Sequence, residues 1–201
     1  LVTPITKQQM MGMGFLKERE FNYNVTGFKL PFEDLMIKDQ PIHQHLSLLY
    51  FIVKEFKLKK VLELGTQFGY STTAFGYAVK ELGGKLYSID IVSCPYAHDK
   101  MTARKLTDNW KFYENKDDLT LDWKEDIDCL FVDSKHSYDQ VTRELKKFEP
   151  FVKKGGFIIL HDMLVFEGLL RGIDEYFDFN KNKYSEYRWF NDCGLEVIRK
   201  H

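Results

Sequence analysis

The sequence predicts one α/β domain built on a doubly wound, mostly parallel sheet. Three observations carry this. Short apolar runs alternate with segments of helical spacing, as in a parallel sheet with both faces covered. The first run, Lys60–Leu64, passes through a glycine turn directly into a helix. The last two runs, Tyr187–Phe190 and Leu195–Arg199, flank a short polar turn and read as an antiparallel hairpin. A chain of 201 residues suffices for one such domain and is short for two.

Taken in order, Pro41 suits the first turn of a helix, and Leu46, Leu49, Ile52, Val53 and Phe56 continue it at helical spacing. Strand Lys60–Leu64 leads to a helix from Tyr70. Strand Lys85–Asp90 precedes a helix near Asp99–Leu106, and strand Trp110–Tyr113 follows. Strand Ile127–Asp133, helix Tyr138–Phe148 and strand Gly156–Asp162 form a crossover unit, with a further helix around Phe166–Phe177. With the hairpin this makes a Rossmann-like, mostly parallel seven-stranded sheet ending in an antiparallel pair. Residues 41–201 form the domain. Residues 1–40, with the apolar patch Met10, Met11, Gly12, Met13 and Gly14, form a helical N-terminal extension and a candidate substrate lid.

A formal net charge of −1 gives no bulk attraction to nucleic acid or an anionic membrane. Cys94, Cys129 and Cys193 are far apart and odd in number, which suggests a reducing, cytoplasmic setting, not a disulfide framework or zinc site. Neither a signal peptide nor a run of membrane-spanning length is visible.

The turn after the first strand is the strongest functional signal. Gly65, Thr66, Gln67 and Gly69 would aim backbone N–H groups at a nucleotide-like ligand. A dinucleotide site usually spaces its glycines G-x-G-x-x-G, yet here Gln67 stands at the middle position and Glu63 precedes the turn. A carboxylate there would repel a pyrophosphate and suit an ammonium group, which favours S-adenosylmethionine over NAD. Asp90, ending the second strand, is placed to accept hydrogen bonds from both ribose hydroxyls.

A second signal is a pair of apolar strands that each end in a carboxylate, Asp133 and Asp162. Neighbouring strands lie ~4.8 Å apart, and two carboxylates that close need a cation between them or a shared proton. Oxygen ligands with water suit Mg²⁺ or a similar divalent cation, which would lower the pKa of an acceptor hydroxyl and orient it. His136, three residues after Asp133, is a candidate base for that hydroxyl, with Lys135 competing.

Glu63-Leu64-Gly65-Thr66-x-x-Gly69-Tyr70-Ser71-Thr72 resembles the first motif of class I S-adenosylmethionine-dependent methyltransferases. The chain is most similar to the small-molecule O-methyltransferases, the catechol O-methyltransferase-like and macrocin O-methyltransferase/cephalosporin-hydroxylase-like branches, over roughly residues 42–199. The resemblance implies that Ser71 holds the methionine carboxylate, Ile91 lines the adenine, and Asp117, or alternatively Asp118, contacts the adenine amino edge. It also implies metal ligation by Asp133 and by the pair His161 and Asp162, although His161 stands where an acid is usual. Because adjacent strand residues point to opposite faces, His161 could equally contact substrate or sit in the core. The implied reaction is O-methylation of a small hydroxylated molecule, with no nucleic acid or membrane partner and a homo-oligomer left open. Two other readings stand: a metal-free methyltransferase using the histidine base, and a nucleotide- or sugar-nucleotide-binding module without methyl transfer.

Overall fold

The computed structural model describes residues 30–36, 41–114, 116, 118–178, 183–190 and 193–201. Most of the N-terminal extension, including the Met10–Gly14 patch, and Asp117 lie outside the described residues.

Seven strands form one sheet: β1 (Lys60–Leu64), β2 (Lys85–Ile89), β3 (Trp110–Tyr113), β4 (Ile127–Val132), β5 (Val152–His161), β6 (Tyr184–Trp189) and β7 (Leu195–Lys200). Their order is β3-β2-β1-β4-β5-β7-β6. The first five are mutually parallel, and β7 and β6 close the edge in antiparallel pairing. Among the described residues five α-helices cover the faces: α1 (Leu46–Glu55), α2 (Tyr70–Glu81), α3 (Pro95–Ala103), α4 (Tyr138–Phe148) and α5 (Glu167–Asp178).

Strand alternation sorts the core into two layers. Val61, Cys129, Phe131, Phe157 and Ile159 face the layer built with α1, α2 and α3. Leu62, Leu130, Val132, Ile158 and Leu160 face the layer built with α4 and α5. Leu30, Phe32 and Leu35 join the first layer, Phe32 meeting Tyr50 edge to face, so this end of the predicted extension is part of the core.

Several boundaries differ from the sequence reading, among them strand β6, which begins at Tyr184, three residues before the expected Tyr187. Residues 41–45 form turns, and the helix begins only at Leu46. The helix expected near Asp99–Leu106 starts at Pro95, whose fixed φ and missing N–H suit a first helical position. Strand β5 begins four residues before Gly156 and absorbs a register irregularity opposite Ile127 and Cys129.

The strand order reverses between β1 and β4, where crevices form at the carboxyl ends of strands in such sheets. Asp133 N–H donates to the Leu64 carbonyl (2.8 Å) and Gly65 N–H to the Ile89 carbonyl (3.0 Å), so the ends of β4, β1 and β2 are tied together there.

Candidate active site

A cleft of about 860 Å³ opens at this switch point, within the range of small-ligand and cofactor sites. Gly65, Thr66, Gln67, Gly69 and Ser71 form one wall, Asp90 and Ile91 the end of β2, and Asp133, His136, His161 and Asp162 the opposite side.

The turn is held in an unusual shape by Asp90. Its Oδ2 accepts the N–H groups of Thr66 (2.8 Å) and Gln67 (3.0 Å), and Oδ1 accepts that of Val92 (3.1 Å). Gln67 takes φ +44, a left-handed conformation unfavourable for a side-chain-bearing residue, and those amide bonds hold it there. Asp90 thus builds the turn as well as lining the cleft. Ile91 and Val92 beside it are exposed, 71% and 53%, and offer an apolar edge.

Glu63 lies beneath the cleft and not on its wall, which differs from the direct ligand contact the sequence suggested. It shares the strand face of Val61, so the pleat turns it toward α2. Fully buried, it accepts the hydroxyls of Ser71 (2.6 Å), Thr72 (2.8 Å) and Ser88 (2.6 Å). Burial pushes its carboxyl up to about 7, against the pull of the three hydroxyls. In the unfolded chain the same group titrates near 4.5. Between these values the native state binds the extra proton, so this contribution to stability is complete below about pH 4.5 and is lost as pH rises through 7. The melting temperature is therefore expected to fall by on the order of 5 °C between pH 5 and pH 8. Glu63→Gln should flatten that slope in a thermal melt, and a slope equal to wild type would refute the assignment.

The reacting end is built from the ends of β4 and β5. Asp133 and His161 fall on the same strand face as Phe131 and Ile159, which resolves the alternation question: both point toward α1, where His161 meets the His45 ring at 5.3 Å. Asp162 lies one residue beyond β5 with φ +61, and its carboxylate returns to the same place. His136 Nε2 is 3.2 Å from Asp133 Oδ1 and 3.2 Å from Asp162 Oδ2. His161 Nδ1 is 3.1 Å from Asp162 Oδ1 and 3.4 Å from Asp133 Oδ1. Burial would raise the Asp133 carboxyl, but the charge and hydrogen bonds of His161 and His136 hold it well below the usual carboxylate range.

Asp133, His136 and Asp162 each offer a ligand atom, all within 4.8 Å of one another, a donor set that fits a divalent cation. His161, the ligand expected beside Asp162, lies at 2% exposure within 3.4 Å of both carboxylates, and His136, the expected base, is the histidine that falls within this group of three. Phe166 lies flat on the His136 ring, with centroids 4.6 Å apart.

The family model described as "Methyltransferase domain" matches residues 62–163, just over half of the chain and all of the strands that carry this site except the edges. The chain belongs to this methyltransferase family. The methyltransferase also shares its fold with solved structures of low sequence identity. An O-methyltransferase from Bacillus cereus in complex with SAH is 16% identical, with TM-score 0.65 over 88% of this chain and 94% of that one. The O-methyltransferase TomG from Streptomyces achromogenes, in complex with SAM, is 14% identical, with TM-score 0.60 over 100% and 92%. A putative rRNA-methylase from Clostridium thermocellum is 16% identical, with TM-score 0.60 over 78% and 97%. No curated protein matches by sequence. As the sequence led one to expect, the sheet is the seven-stranded class I methyltransferase sheet, parallel with an antiparallel end.

Sequence reasoning passed over several residues that shape the site: Thr72 and Ser88, which anchor Glu63, Ser134 and Gln140, which line the cleft, and buried Glu144, which holds both of them. Glu144 did carry a signal. It interrupts the buried stripe Val141, Leu145 and Phe148 of α4, and a carboxylate on an apolar helix face marks a group with a specific task.

Proposed function

We propose that this methyltransferase uses S-adenosylmethionine to methylate an oxygen of a small hydroxylated molecule, assisted by a divalent cation held by Asp133, His136 and Asp162. The observation that carries the reading is the convergence of those three side chains on one side of a cleft whose other side is the glycine turn and Asp90. When bound, S-adenosylmethionine supplies an electrophilic methyl group on a sulfonium sulfur. The cation would raise the acidity of the acceptor hydroxyl and fix its oxygen.

The chain's own residues do the positioning. In this reading Asp90 would accept the ribose hydroxyls, Ile91 would line the base, and Ser71, held by Glu63, would meet the methionine carboxylate. His161 orients both carboxylates from behind, as partners of metal-binding groups commonly do. Exposed Leu164, Val165 and Phe166 lie just beyond Asp162 and give the acceptor side an apolar wall, which suits a small organic molecule better than a polynucleotide. Three cysteines outside any disulfide support a cytoplasmic setting, and among the described residues no helix is long and apolar enough to cross a membrane.

The 3.2 Å contacts of His136 also favour a second reading, in which no metal is used. There His136 takes the hydroxyl proton and the two carboxylates stabilise its charge. Titration calorimetry should show S-adenosylmethionine binding in either case. Turnover lost on chelation with EDTA and restored by Mg²⁺ supports the cation. Full turnover in EDTA would remove it and leave the histidine base, while absence of binding would overturn both.

A further inference from the structure

Gln140 stands on the cleft wall in the first turn of α4. Its Nε2 donates to Asp118 Oδ1 (3.2 Å) and to Glu144 Oε1 (2.8 Å). A primary amide has two N–H donors, and both are taken. Flipping the amide would set its carbonyl against two acceptor oxygens, so one orientation is fixed. The polar atom left over is Oε1.

The two carboxyl groups that lock this amide are themselves a built pair. Glu144 is fully buried and Asp118 is 7% exposed. Glu144 Oε1 also accepts the Ser134 hydroxyl (2.5 Å), while Glu144 Oε2 and Asp118 Oδ2 are buried with no donor. Two buried carboxyls in contact are accommodated when they share a proton. In keeping with this, burial and the neighbouring Asp118 push Glu144 up to about 9. The neutral acid then donates its O–H to Asp118 and keeps Oε1 as an acceptor for Gln140.

Gln140 and Asp118 line the same cleft as Asp90 and Ile91. The loop after β3 is joined to the end of β2 by Lys116 N–H donating to the Asp90 carbonyl (2.9 Å), next to exposed Ile91 and Val92. We propose that Gln140 is a specificity residue whose locked side-chain carbonyl reads the exocyclic amine of the cofactor's adenine, with Asp118 and Glu144 as its positioning residues. The inference rests on the adenosyl-cofactor reading above. An amine donates to such an acceptor, whereas a 6-oxo purine would meet it with a second acceptor and leave both unpaired.

The test is calorimetric, with S-adenosylhomocysteine and its deaminated counterpart, S-inosylhomocysteine, as probes. Wild type should prefer the amine form by between about 10-fold and 100-fold. Gln140→Met keeps the side chain's length and removes the acceptor. It should lose that preference through weaker binding of the amine form and, because two buried carboxyl oxygens also lose a donor, melt a few degrees lower while remaining folded. Glu144→Gln, which can still donate to Asp118 and accept from Gln140, should retain the preference, and Glu144→Leu should relax it. A wild-type preference preserved in Gln140→Met overturns the proposal, as does wild type binding both probes equally. Wild type that binds neither probe overturns the cofactor reading and this inference with it.

Discussion

Gly65→Ala is expected to abolish the folded methyltransferase, or at least to lower its melting temperature by more than 10 °C and remove cofactor binding. Two independent costs coincide at this position. The backbone has φ +89, outside the region open to L side chains. A Cβ built there would also lie 2.1 Å from the Asp133 carbonyl oxygen and 2.7 Å from its carbon. Those are backbone atoms, so no rotamer change relieves the clash. The only remedy is to move the end of β4 away from β1, which breaks the Asp133 to Leu64 bond and displaces the Asp133 carboxylate. Gly155→Ala is the control: φ is +81, but nothing lies within 4 Å of the added carbon. It should cost only the conformational strain, roughly 1–2 kcal/mol. Comparable melting curves for the two variants would show that close approach at the switch point is not what the glycine serves.

Asp133→Asn should leave a folded protein whose kcat/KM is lower by about 10³, the scale expected when a charge that supports proton removal at the reacting end is lost. The amide matches the carboxylate in shape but removes the charge that both His136 and His161 face. Without that charge the donor set loses an anionic ligand, and in the metal-free reading the imidazolium formed at His136 loses its closest counter-charge. The variant should also lose any response to added Mg²⁺, with S-adenosylmethionine affinity reduced far less than turnover. Activity within tenfold of wild type would remove Asp133 from the reaction under both readings.

The architecture was largely legible because its signals are local. Strands β1 and β3 and helix α4 begin and end where alternation and spacing put them, since each carries its own apolar face. The helix at Pro95 was misplaced because its buried face is only Ala97 and Met101, too sparse to set a period. At the site, residues next to the glycine turn and at strand ends could be listed, but their partners could not. Glu63 looked like a ligand contact because nothing local shows that Ser88, its register partner on β2, reaches it together with Ser71 and Thr72. That His136 and His161 both reach the two carboxylates depends on Asp162 turning through a positive φ just after the strand, which no residue type requires. Gln140 lies 22 positions from Asp118, and only the packing of α4 joins them.

The way Asp90 clasps Thr66 and Gln67 has a consequence for affinity. The turn proposed to receive the cofactor is fastened by that carboxylate, and the helix that follows it is fastened through Ser71 and Thr72 on Glu63, independently of any ligand. Little ordering entropy is then lost on association, and tight binding follows from preorganisation more than from the number of contacts.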